Sequence, residues 1–336
     1  MLKPMDLIHQ NQLGLKLTEI SIRELLFIND TPIEIYGFQD GKFKRILRKN
    51  AFINKNTLKD LIAKGHTKLF AYVEDRGKLI EHVQNSLLNV TRSLSVGSPV
   101  EKGRKQMNLL AINMSYLYQD PTNDDILKLQ HQCAKNLAYF LISNVHHHEE
   151  IYQGFIKQKH HFIYAQPIIS SLFVLGIFKY SQLYSDQEIE NFFITSLFKD
   201  IGMSAIPVEK YDQDELNEEE KELLRTHAEH SINLLKGRVP LSPNHLVIIQ
   251  NHHSFSLLTS EISTTIVGPN DKDIIAGFET MIISIMDIVS AMISGRPYRK
   301  ASNLFESLDL IKLLIADQYP QEFRQIVSYF KNFFRG

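Results

Sequence analysis

Phe192-Phe193-Ile194-Thr195-Ser196-Leu197-Phe198-Lys199-Asp200-Ile201-Gly202-Met203 reads as an apolar helix that carries a lysine and a carboxylate side by side between bulky hydrophobes. Such a pair needs a physical reason, because an unpaired buried charge costs several kcal/mol. The same question arises at Met281-Ile282-Ile283-Ser284-Ile285-Met286-Asp287-Ile288-Val289, where one carboxylate stands mid-helix and no cation lies at helical spacing on its face. Something cationic must meet Asp287. The chain holds 14 histidines, and ten of them fall between His146 and His253. His160-His161, His227, His230 and the doublet His252-His253 are the candidates to share an ion with the two aspartates. One or two such residues per helix is how a helical bundle builds a dinuclear metal site, with neutral imidazoles and a bridging carboxylate suited to iron, manganese or zinc. The alternative is a set of unrelated core and surface histidines. The joint order of His, Asp, His, His-His and Asp favours the metal.

Working outward, the period is helical on both sides of these runs and stays so back to Asp75. Leu79, Ile80, Val83, Leu87 and Leu88 repeat at three and four, and Leu109, Leu110, Ile112 and Leu117 continue after the break at Gly97 to Pro99. A further helix is predicted from Asn123 to about Lys157, with Ile126, Leu127, Cys133, Leu137, Phe140 and Leu141 facing inward. His146-His147-His148-Glu149-Glu150 reads as a solvated turn, since three consecutive helical side chains point in three directions and cannot share one ion. Ser302 to Asp317 and Pro320 to Phe334 carry core-packing stripes, Leu304, Leu308, Ile311 and Leu314, then Phe323, Ile326, Val327 and Phe330.

Only the first 75 residues read differently. Ile20 to Ile22, Ile33 to Tyr36, Phe43 to Ile46 and Leu69 to Val73 are strand-like, Asp40-Gly41 makes a hairpin turn, and one helix bears the stripe Leu58, Leu61 and Ile62. Asn56 is placed to cap that helix and Gly65 to end it. The expectation is a mainly α protein: a small α/β domain at 1–75, a helical linker with the first bundle helices at 76–150, and a metal-binding all-helical bundle at 151–336.

Composition narrows the functional classes. With 37 basic and 38 acidic residues the net charge is −1, so no general field recruits duplex nucleic acid or an anionic membrane, and an anionic ligand must be met locally. One cysteine, Cys133, cannot close an intrachain bridge. The amino terminus shows no signal-peptide stretch. The most apolar run, Ile163 to Phe178, is interrupted by Gln166, Pro167 and Ser170-Ser171, so no membrane helix is expected and the chain reads as cytoplasmic.

The order of histidines and aspartates from His160 to Ala301 resembles the HD-GYP family, the cyclic di-GMP phosphodiesterase branch of the metal-dependent HD phosphohydrolases. Arg296-Pro297-Tyr298-Arg299-Lys300-Ala301 is similar to the family's R-P-Y-R-x-A signature, nine residues after the last metal-binding aspartate. The resemblance implies an HD-type bundle and metal ligands at His161, Asp200, His227, His252, His253 and Asp287, with Asp200 bridging two divalent ions, iron foremost and manganese or zinc also suited. It implies that Arg296 and Lys300, with Arg299 as an alternative, hold phosphate, Arg by paired donors. The implied chemistry is hydrolysis of cyclic di-GMP to the linear dinucleotide or GMP, by a water whose pKa two metals lower, with Asp200 and Lys199 at the catalytic position.

The sequence departs from the pattern at several points. Lys199 stands where the family has the His of His-Asp, and Met203 where it has the Lys of H-D-x-G-K. Ser254, Leu258, Ser260, Glu261 and Ile262 replace the glutamate, two glycines, tyrosine and proline of the naming motif, so the expectation is weak turnover, an altered substrate or no turnover. Lys157 stands where three-metal members have a further glutamate, which limits the expectation to two ions. An ammonium has no lone pair for a metal. Either Lys199 loses its proton or steps aside for a first metal held by His161, Asp200 and Asp287, which is the expectation, or its charge replaces that metal. The rival functional reading is a degenerate signalling module that binds cyclic di-GMP or a partner protein through this site. A homodimer through the helices after Asp75 is compatible with either.

Overall fold

The structure, a computed structural model, describes residues 10, 12–66, 68–213, 215–253 and 277–334. The chain divides into two compact units, residues 1–93 and 94–336. The smaller unit is built on four antiparallel strands in the order β1-β4-β2-β3: β1 (Leu17–Ile20), β2 (Ile35–Gln39), β3 (Lys42–Leu47) and β4 (Leu69–Tyr72). Asp40 and Gly41 turn the β2–β3 hairpin with φ of 54° and 74°, the left-handed pair that a two-residue hairpin asks for. β1 lies earlier than the predicted Ile20 to Ile22, because Ser21 and Glu24 form a capping box that starts a 3-10 turn at Ile22. Helix α1 (Lys55–Ala63) is capped by Asn54 rather than Asn56: the Asn54 side chain accepts from the backbone N–H groups of Asn56 and Thr57. Gly65 follows the helix with φ of 80°. Helix α2 (Arg76–Arg92) belongs to this unit and buries Leu79, Val83, Leu87 and Val90.

The larger unit is helical: α3 (Pro99–Gln119), α4 (Asp124–Ser143), α5 (His148–Ile156), α6 (Phe162–Ser181), α7 (Asp186–Phe198), α8 (Glu218–Arg225), α9 (His227–Leu235), α10 (Pro243–Asn251), α11 (Phe278–Ile293), α12 (Leu304–Ile315) and α13 (Pro320–Phe333). Among the described residues it holds no strand, only an isolated bridge between Arg296 and Arg299. The chain is thus mainly α, with a small α/β unit ahead of a helical bundle.

The axis of the bundle is α6, which packs against α3, α4, α5, α7, α11 and α13. A helix apolar on every side can be a core helix or a membrane span. The residues expected to interrupt it do not: α6 runs unbroken through Gln166, Pro167, Ser170 and Ser171. Among the described residues it is one helix long and apolar enough to cross a membrane, and 83% of its most apolar stretch is buried inside the protein. The helix predicted from Asn123 to Lys157 is instead two. Asn144 leaves helical geometry and its side chain donates to the Phe140 carbonyl, so α4 stops and a 3-10 turn leads to α5. The histidine run at that turn is only partly solvated. His146 is exposed, whereas His148 is 1% exposed and its Nε2 lies 2.9 Å from the Leu141 carbonyl oxygen.

Candidate metal centre

Lys199 ends α7 and Asp200 opens a 3-10 turn, Ile201–Ala205, laid against α9. The approach is very close. The Gly202 N–H donates to Ser231 Oγ at 2.8 Å, and a Cβ at Gly202 would collide with the His227 carbonyl oxygen and stand 2.6 Å from the Ser231 nitrogen. Tyr118 adds a second tie from α3, its hydroxyl donating to the Asp200 carbonyl at 3.0 Å. These contacts set the Asp200 side chain opposite the first residue of α9, His227, and the doublet that follows α10, His252-His253.

The histidines are oriented by their own helices. His227 Nδ1 is 2.5 Å from the Leu224 carbonyl oxygen and His252 Nδ1 is 2.6 Å from that of Ile249, so each Nδ1 carries the proton and donates it. Both Nε2 atoms therefore present lone pairs. They meet at Asp200 Oδ1, 3.0 Å from His252 Nε2 and 3.4 Å from His227 Nε2, while His253 Nε2 lies 3.0 Å from that of His227. All four ligand atoms lie within 4.8 Å of one another. Burial holds His253 well below the ordinary histidine range, so it stays neutral. Buried lone pairs aimed at one point repel unless a cation sits among them. Three imidazoles and a carboxylate are a donor set that fits a transition-metal ion, with outer nitrogens anchored as metal-binding histidines usually are. These residues could hold a metal.

The other face of Asp200 is occupied by a lysine. Lys199 is completely buried, and its Nζ donates to Asp200 Oδ2 and, at 2.7 Å, to Asp287 Oδ1. Burial by itself would lower the Lys199 pKa, but the two carboxylates outweigh it and hold the ammonium above the ordinary lysine value. Asp200 shows the complementary balance: burial pushes it up, yet the Lys199 ammonium beside it holds it well below the carboxylate range. The cation that meets Asp287 in this structure is thus Lys199.

Asp287, on α11, also accepts from Gln166 Nε2 at 3.0 Å. The same amide turns its oxygen to Arg296, whose Nη2 donates at 3.1 Å, and the guanidinium lies 4.7 Å from the centre of the Phe162 ring. Gln166 escapes sequence reasoning because it reads as an interruption of an apolar run. Its signal is being the one amide on a helix otherwise lined with apolar and small residues. His161 is placed elsewhere: it caps α6, accepting from Ile163 N–H, and its Nε2 lies 2.9 Å from Asp212 Oδ1, outside the four-residue cluster. His160 lies 2.7 Å from Asn108 Oδ1, and His230 is also outside the cluster.

A cavity of about 570 Å³ opens over the centre. Asp200, His227, His252, His253 and Asp287 line it, as do Met203, Arg296 and Arg299. Lys300 is exposed and outside the lining, and Lys199 is buried and outside it too. Leu310 and Leu314 of α12 also face the cavity, so part of that predicted core stripe is wall. Ser254, Leu258, Ser260, Glu261 and Ile262 lie outside the described residues.

No protein-family model and no curated protein matches the chain. A solved structure does: Bd1817, an HDG"Y"P protein from Bdellovibrio bacteriovorus, superposes with a TM-score of 0.63 over 94% of this chain and 99% of that one, at 13% identity. The fold is HD-GYP-like.

Proposed function

We propose that this chain is a cytoplasmic, metal-dependent phosphodiesterase of the HD-GYP kind that acts on cyclic di-GMP. The observation that carries the reading is the convergence of the imidazoles of His227, His252 and His253 with Asp200 in the lining of a cavity that also holds Arg296 and Arg299. Its volume is in the range of sites that enclose a small ligand. A bound divalent ion supplies Lewis acidity and a water made acidic enough to attack phosphorus at neutral pH. Arg296 lines the cavity with its guanidinium held by Gln166 and set over the Phe162 ring, a cation with paired donors that suits a phosphodiester. Apolar walls from Ile163, Leu216, Ile288 and Leu310 suit the flat faces of the bases.

The expected result is linear dinucleotide or GMP when metal-loaded protein is incubated with cyclic di-GMP, and none with Asp200→Ala. Equal product in both samples would mean a contaminating activity. One observation favours a second reading: Lys199 fills the space between Asp200 and Asp287. A module that binds the nucleotide or a partner protein without cleaving it would then show saturable binding and no product.

A further inference from the structure

We infer that Lys199 is a built-in substitute for a second metal ion, so that this centre holds one divalent ion and one fixed ammonium. The inference rests on the metal reading above and concerns how many ions the centre takes. Asp200 is a carboxylate with two differently used oxygens. Oδ1 faces the imidazole nitrogens of His227 and His252, while Oδ2 faces Lys199 Nζ. A carboxylate that bridges two cations uses its two oxygens in this way, and in two-metal hydrolases the cations stand roughly 3.5–4 Å apart. Here the second position is taken by nitrogen.

Three further facts make that substitution stable. Asp287 contributes its Oδ1 to the same nitrogen at 2.7 Å, so two carboxylates from different elements close on one ammonium. Lys199 is wholly buried and does not line the cavity, so it is part of the packed interior rather than an arm that swings aside for an ion. The imidazole that could complete a second ligand set is turned away, His161 being engaged by Asp212. An ion between Asp200 Oδ2 and Asp287 Oδ1 would have to displace a donor that has no lone pair to offer it. Lys199 is accordingly a positioning residue. It holds both carboxylates in place and leaves the three-histidine pole to bind the metal.

The test is a metal count with a spectroscopic check on purified full-length protein, stripped and reconstituted with Mn2+ alone. Wild type is expected to bind one Mn2+ per chain with an isolated six-line paramagnetic resonance spectrum. Lys199→His is expected to bind two, with the broadened spectrum of an exchange-coupled pair. Two coupled ions in wild type would overturn the inference, and so would one ion in both proteins. The wild-type count decides the matter by itself where the variant fails to fold. Binding of no Mn2+ at all would remove the metal reading and this inference together, whereas one ion without cleavage of cyclic di-GMP would leave the inference standing and remove only the hydrolase.

Discussion

His148 shows how a single residue can tie stability to pH. Its ring is buried behind the break between α4 and α5, one nitrogen donating to the Leu141 carbonyl and Nδ1 without a partner among the described residues. Burial, the largest influence, lowers its pKa from 6.5 to about 4. The unfolded chain therefore takes up a proton first as pH falls. Stability is fully present above 6.5, declines between 6.5 and about 4, and levels below, a loss of about 3 kcal/mol from this residue. Urea unfolding across that window should show His148→Gln losing less stability than wild type by about that amount, although its absolute stability at pH 7.5 is lower; parallel curves would refute the assignment. At this scale the sequence is only half legible. That Asp287 needs a cation follows from its apolar helix, but helical spacing pairs residues three or four apart, and the cation arrives from Lys199, 88 positions away. Gln166 is hidden for the same reason, its partner Asp287 being 121 positions distant.

At the scale of elements, the turn Ile201–Ala205 and helix α9 position the centre, and Gly202 is where they touch. Because the obstacle to a side chain there is backbone of α9 rather than a flexible side-chain tip, Gly202→Ala must push the turn away from His227 and Asp200 away from its partners. Overpacking of this kind costs about 1–3 kcal/mol. We expect Gly202→Ala to lower the urea midpoint and weaken Mn2+ binding, and Gly77→Ala, a helical position whose added Cβ meets nothing within 4 Å, to leave Mn2+ binding unchanged and to keep or raise the midpoint. A wild-type midpoint and wild-type Mn2+ affinity in Gly202→Ala would contradict the close packing. Helices and hairpin are the most legible part of this chain because they depend on local period and turn chemistry. Their ends are less so: the apolar stripe of α4 continues in register past Asn144, and only side-chain bonds to Phe140 and Leu141 carbonyls reveal the stop. The cap of α1 at Asn54 rather than Asn56 is the same kind of shift.

For the whole molecule, the change of period near Asp75 marks where strands give way to helices, but the two units divide after residue 93, because the first helix past Asp75 belongs to the smaller one. Which histidines meet is decided by the bundle: it brings His227, His252 and His253 to Asp200 and leaves His161 with Asp212. The four donors come from three stretches of chain, after α7, at the start of α9 and after α10, so a metal bound among them joins elements that the unfolded chain keeps apart. Binding is then linked to folding of the larger unit. At a free ion concentration 100 times the dissociation constant the gain is about 2.7 kcal/mol, which for a unit of this size raises the unfolding temperature by roughly 5–10 °C. Calorimetry of reconstituted protein should therefore show its bundle transition falling by that amount when a chelator is added. His252→Ala should unfold at one temperature with or without chelator, because it has lost a donor from the cluster. The smaller unit contributes no ligand to this cluster, so any separate transition it shows should not move. A chelator-insensitive wild type would mean that these lone pairs converge without a metal to bind.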